Sequence, residues 1–172
     1  MSKVMKHLGL LGREAEDRVT GFKGVVTSLA FDLYGCIQAV IQPNTDPEGK
    51  VPDGRWLDVV RINTECGRTV MACPDYSDRY EEYLELLGQE ARDIVTGFEG
   101  VIATVYFKLS GRIQVHLSPR IDPEGKAREG CVFDVESIGV TSSEPVMDPP
   151  DYNEQNVADG DHGCAEKLGK SI

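Results

Sequence analysis

The sequence predicts a mainly β protein built as two tandem small SH3-like β-barrel repeats, with a short connecting helix and a flexible C-terminal tail. Three observations carry this expectation. Shifted by 76 positions without a gap, Leu11–Tyr76 matches Leu87–Tyr152 with 31 of 66 positions identical, which marks a tandem duplication. Apolar and polar residues alternate within each copy, the period of a half-buried strand. Segments bearing Gly and Pro punctuate these runs at turn spacing.

The elements follow in chain order. Val4, His7, Leu8 and Leu11 before Gly12 carry a weak helical register. "VTGFKGVV" at 19–26 returns as "VTGFEGVI" at 95–102, and each reads as a strand-turn-strand corner. Gly21 and Gly24, with Gly97 and Gly100, permit the bend, while Phe22 and Phe98 fill the space it makes. A long strand is expected over about 24–33, then a tight turn at Gly35 and a strand at 36–42, repeated through Gly111. There Ile37, Ala39 and Ile41, matched by Ile113, Val115 and Leu117, take the core face. "DPEGK" at 46–50 and 122–126 has the residues a β-turn needs. Leu57 and Val59, matched by Phe133 and Val135, should face the core, with Asp58 and Asp134 pointing away.

Tyr80, Tyr83, Leu84 and Leu87 fall at i, i+3, i+4 and i+7, predicting a helix capped by Ser77 and ended at Gly88. The expected division is therefore a first repeat over 1–76, a helical connector over 77–87, a second repeat over 88–152 and a flexible tail over 153–172. Repeats this small are marginal alone, so packing of the two copies, or a homo-oligomer, is expected.

A net charge of −11 repels phosphate backbones and argues against direct nucleic-acid binding. The sequence has no apolar run long enough to span a membrane and no signal-peptide pattern at its N-terminus, so cytoplasmic synthesis in a host is expected. Five scattered cysteines, Cys36, Cys66, Cys73, Cys131 and Cys164, suit free thiols in a reducing compartment.

The duplication also filters for chemistry. Cys36 aligns with Arg112, Cys66 with Ser142, Cys73 with Pro149, and His116 with Val40, so no catalytic set recurs. No cofactor, metal or catalytic residue is expected. Asp17/Asp93 and Asp58/Asp134 do recur, but structural hydrogen bonding is the favoured use of such carboxylates. The candidates left are recognition residues: Trp56, Asp58, Asp134, Tyr76, Tyr80 and Tyr83. Trp56 could anchor a partner or pack against copy two. The tyrosines could form an interface belt or a seam between the repeats.

The stretch "GREAEDRVTGFKGVVTSLAFDLYGCIQAVIQP" resembles small proteins of bacteriophages and prophages that carry a VTGFxGIVT…LxGCxQ motif. Copy one matches through Asp17, Val19–Phe22, Gly24, Leu33, Gly35-Cys36 and Gln38, and copy two departs at Arg112. "DRVTGFKGVV" is also similar to the KOW pattern of SH3-like barrels. Tandem small barrels, an acidic surface and pliable terminal arms suit docking on a larger assembly, so the expected function is that of a non-enzymatic phage-type protein-interaction module, a virion-associated structural or accessory component with a protein partner. The alternative is a counter-defence protein of the host cytoplasm that binds a host protein or sequesters a nucleotide signal.

Overall fold

Two ten-residue strands of matching sequence organise the molecule. The computed structural model describes residues 1–65 and 67–153; the flexible tail expected over 153–172 lies, beyond Asn153, outside the described residues. In chain order the elements are helix α1 (Lys3–Leu8) and strands β1 (Glu14–Asp17), β2 (Lys23–Asp32), β3 (Ile37–Gln42), β4 (Arg55–Asp58) and β5 (Ile62–Asn63). Helix α2 (Tyr80–Leu84) and strands β6 (Glu90–Asp93), β7 (Glu99–Lys108), β8 (Ile113–Ser118), β9 (Cys131–Asp134) and β10 (Ile138–Val140) repeat them. A single 3-10 turn joins β4 to β5 and β9 to β10.

The mainly β expectation holds, and copy one orders its five strands β5-β1-β2-β3-β4, but the copies do not stand apart as separate sheets. All ten strands join in one open antiparallel sheet. The reason lies in the long strands. One edge of β2 pairs with β3 throughout; its other edge pairs first with β1 and then, from Ser28 on, with β7. In the same way β7 pairs with β8 on one edge and with β6 and then β2 on the other. Six strands thus run unbroken as β4-β3-β2-β7-β8-β9.

Each long strand changes partner at a bulge, between Val26 and Ser28 in β2 and between Ile102 and Thr104 in β7. An extra residue breaks the ladder locally and leaves its own backbone groups for other partners. Accordingly the Thr27 carbonyl accepts the Leu109 N–H at 2.8 Å, and the Ala103 carbonyl accepts that of Leu33 at 2.8 Å. The two bulges stitch each copy to the other.

The register around these contacts is symmetric. Ala30 pairs with Tyr106, its own equivalent 76 positions on, flanked by Leu29 with Phe107 and Phe31 with Val105. A pseudo-two-fold axis therefore passes through the Ala30–Tyr106 pair, the mark of an isologous contact. On the core face Val26, Leu29 and Phe31 with Ile102, Val105 and Phe107 join one continuous cluster that also includes Val4 and Leu8 of α1 and Tyr80 and Leu84 of α2.

The helices stand at equivalent positions, so α2 opens the second copy as α1 opens the first. Ser2 caps α1 by accepting the Met5 N–H. Ser77 does not cap α2, contrary to expectation; its hydroxyl donates to Asp75 at 2.7 Å, and α2 begins without a side-chain cap. The "DPEGK" segments do form turns, with the Asp46 carboxylate accepting the N–H groups of Glu48 and Lys50 and Asp122 repeating the arrangement.

Candidate functional site

The repeated "DxVTGF" segment is a structural device. The Asp17 carboxylate is fully buried and accepts the N–H groups of Val19 and Thr20 and the hydroxyl of Thr20. These bonds bend the chain back so that the Asp17 N–H meets the Phe22 carbonyl, with Gly21 at φ +73 closing the turn. Gly24 is required for a different reason. A Cβ there would lie 2.2 Å from the Gln42 carbonyl oxygen, and at Gly100 one would lie 2.7 Å from that of Ser118. Phe22 lies under the Arg55 guanidinium at 4.6 Å, and Phe98 packs on Phe133 at 5.5 Å.

The copies differ in what faces the buried carboxylate. Arg61 donates to both oxygens of Asp17, at 3.0 and 2.6 Å, and holds its pKa far below the usual carboxylate range against the opposing effect of burial. The equivalent of Arg61 is Ser137, whose hydroxyl donates to Asp93 at 2.6 Å. Hydrogen bonds from Ser137 and then Thr96 lower the Asp93 pKa in turn.

Of the three predicted tyrosines, Tyr76 and Tyr80 reach across the seam between the copies. Tyr76 is buried and donates its hydroxyl to the Lys108 carbonyl at 2.5 Å; burial, chiefly, pushes its pKa up to about 12. Its equivalent, Tyr152, donates to the Asp32 carbonyl. Each copy's closing "PDY" therefore latches onto the other copy's long strand. Tyr80 is buried, with its hydroxyl on Ser2 and Glu81, and Tyr83 packs against the core. Sequence reasoning missed Tyr152, although its match to Tyr76 was the available signal.

Trp56, Asp58 and Asp134 share the sheet face opposite the core. The pairings align one row across six strands, Asp58, Gln38, Ala30, Tyr106, Gln114 and Asp134, whose Asp and Gln positions repeat on either side of the unlike central pair. Asp58 accepts the Val60 N–H. Asp134 instead accepts from the Gln114 amide at 2.9 Å and faces Arg112 at 3.6 Å.

Half-buried Trp56 packs on Tyr106 of the other copy, with centroids 5.6 Å apart. The Lys108 amine lies 5.9 Å from the Trp56 ring and 5.2 Å from that of Tyr106. Burial lowers the pKa of that amine and raises that of the Tyr106 phenol. Sequence alone singled out neither Tyr106 nor Lys108, because both oppose a different residue type in copy one.

An open cleft of about 280 Å³ lies in copy two, lined by residues that include Glu90, Glu99, Pro119, Arg120, Arg128 and Thr141. Arg120 is bound there to Glu90. Copy one has Asn44 and Pro52 in place of the two arginines, so this basic lining is not duplicated.

The expectation of free thiols fails at Cys36, which is disulfide-bonded; Cys73 and Cys131 are free. Sequence spacing could not show that bond, since bonded cysteines meet only in the fold. Among the described residues no three His, Cys, Asp or Glu side chains converge to hold a metal ion, and no helix is long and apolar enough to cross a membrane.

No family model, curated protein or solved structure matches the chain.

Proposed function

We propose that the chain is a non-enzymatic protein-interaction module of the bacteriophage type, incorporated in the virion as a structural or accessory component. The observation that carries this reading is the survival of exposed apolar residues at identical positions in both copies. Val19 and Val95 at the hairpin tips are 73% and 82% exposed, and the Val70-Met71 and Val146-Met147 pairs remain about half exposed. The tip is held by Asp17, Thr20 and Gly21, and Val19 lends it only a backbone N–H. Nothing in that geometry asks for a branched apolar side chain, whereas apolar contact with a partner does. Two equivalent apolar points related by pseudo-symmetry suit an assembly that presents the same element repeatedly.

The assignment to a phage rests on the resemblance of the VTGFxGV motif. Mass spectrometry of purified particles tests it. The wild-type protein is expected in the particles at a fixed copy number, and a Val19→Lys/Val95→Lys protein of unchanged fold is expected to be lost from them. Particles without the wild-type protein, or with the variant retained, would refute the reading.

A counter-defence role is favoured by the net charge of −11, which complements a basic host factor. Absence from particles combined with salt-sensitive binding to one host protein would select it.

A further inference from the structure

We propose that the contact between the two repeats is a homodimer interface made permanent by duplication, and that Trp56, Tyr106 and Lys108 now restrict it to pairing copy one with copy two. The first half of the inference follows from the symmetry. A strand that pairs antiparallel with its own equivalent, centred on one position, is what two identical chains form about a two-fold axis. Here the centre is Ala30 with Tyr106. The backbone and latch contacts across the axis are reciprocal: Leu33 to Ala103 and Leu109 to Thr27 through the backbone, and Tyr76 to Lys108 and Tyr152 to Asp32 through the latches. Each copy supplies both sides of every such contact, so the peptide link between them adds proximity and no contact of its own.

The second half follows from where the symmetry breaks. On the core face the equivalent residues at the axis stay apolar: Leu29 with Val105, Phe31 with Phe107. On the opposite face several equivalents differ in kind, among them Trp56 with Val132, Ala30 with Tyr106, and Asp32 with Lys108. These three positions supply residues in mutual contact across the axis, the Trp56 ring on Tyr106 and the Lys108 amine over both. Two copy-one halves would set Ala30 against Ala30 and leave Trp56 with neither ring nor amine. Two copy-two halves would offer the ring and amine to Val132. Only the mixed pair makes the cluster, which therefore acts as a specificity device.

The test cuts the full chain after it has folded. A protease site inserted between the exposed residues Ser77 and Asp78 leaves Tyr76 with copy one and α2 with copy two; the uncut protein must first show the wild-type circular dichroism and Tm. After cutting under reducing conditions, the halves are expected to elute together at micromolar concentration. After unfolding and refolding, native mass spectrometry is expected to find mixed pairs almost alone. Trp56→Val/Tyr106→Ala/Lys108→Asp makes the two halves alike at the axis, and same-copy pairs should then rise about tenfold. Where that variant does not fold uncut, Tyr106→Ala alone serves, with a smaller rise expected. Halves that separate on cutting would overturn the dimer interface. A statistical mixture from the wild type, or no rise in the variant that folds, would overturn the specificity.

Discussion

Phe31 and Phe107, one residue position written twice, meet edge to face across the pseudo-two-fold axis with ring centroids 5.7 Å apart and planes at 88°. Tyr152 packs edge-on to Phe31 at 5.2 Å, and Tyr76 to Phe107 at 5.1 Å. The four rings form a palindromic row through the middle of the core, and each half of the row uses residues from both copies. Phe31→Ala or Phe107→Ala is therefore expected to cost about 3–5 kcal/mol. A double-mutant cycle between them should give a coupling of about 0.5–1.5 kcal/mol, measured by urea unfolding. A coupling of zero would mean that the rings do not meet.

The latches can be loosened one atom at a time. Tyr76→Phe and Tyr152→Phe each remove one of two donors from a strand-end carbonyl, which keeps the N–H of Gly111 or Gly35, and each is expected to cost about 0.5–1.5 kcal/mol. Their effects should be similar in size, since the contacts are equivalent. Because the folded state raises the pKa of both phenols and of Tyr106, ultraviolet titration should show three of the six tyrosines ionising only above the ordinary phenol range. Tyr76→Phe should remove one of them.

Acid should act strongly through Asp17. Its folded-state pKa lies below its unfolded value of about 3.9. The stabilisation is therefore complete above that value and is lost as pH falls towards the folded one. Unfolding free energy measured from pH 7 to pH 2 should decline below about pH 4, and Asp17→Asn should flatten that decline while lowering stability at neutral pH. Arg61→Leu, which strands a buried carboxylate, should cost about 3–5 kcal/mol. Arg61→Ser should cost less, because copy two already satisfies Asp93 with Ser137. Equal losses from the two would contradict the copy-two comparison.

Gly24 and Gly21 should respond differently to a side chain. At Gly24 the added Cβ meets backbone at 2.2 Å, so Gly24→Ala should force β2 away from the end of β3 and cost roughly 3 kcal/mol or more. At Gly21 the nearest atom is a Glu16 side-chain oxygen at 3.8 Å, so the cost of Gly21→Ala is chiefly that of the left-handed backbone, about 1–2 kcal/mol. Neither substitution is expected to unfold its own copy alone, since both copies share one core. Thermal melts of the two variants check the order.

The strands were legible because local rules set them. Ile37, Ala39 and Ile41 alternate with polar residues, Gly35 supplies positive φ, and the structure has β3 and its turn where that pattern puts them. The joining of the copies was not legible. From Ser28 to Phe31 both faces of β2 are buried, so alternation there cannot say which edge is taken, and a bulge that hands an edge from β1 to β7 leaves no compositional trace. Comparing the copies could identify Asp17 and Asp93 as a shared device, but not that Arg61 serves one and Ser137 the other. Trp56 stood between two readings on sequence, and its contact with Tyr106 places it in the seam between the copies, half-buried.

Equilibrium urea unfolding, followed by far-ultraviolet circular dichroism and by the fluorescence of Trp56, tests most directly whether two repeats make one structure. Trp56 is the single tryptophan; it belongs to copy one and reports on its contact with copy two, while circular dichroism reports on all ten strands. A single sheet with a shared core predicts coincident transitions with one midpoint and one slope. Two separated transitions, with the tryptophan signal following only one, would contradict it.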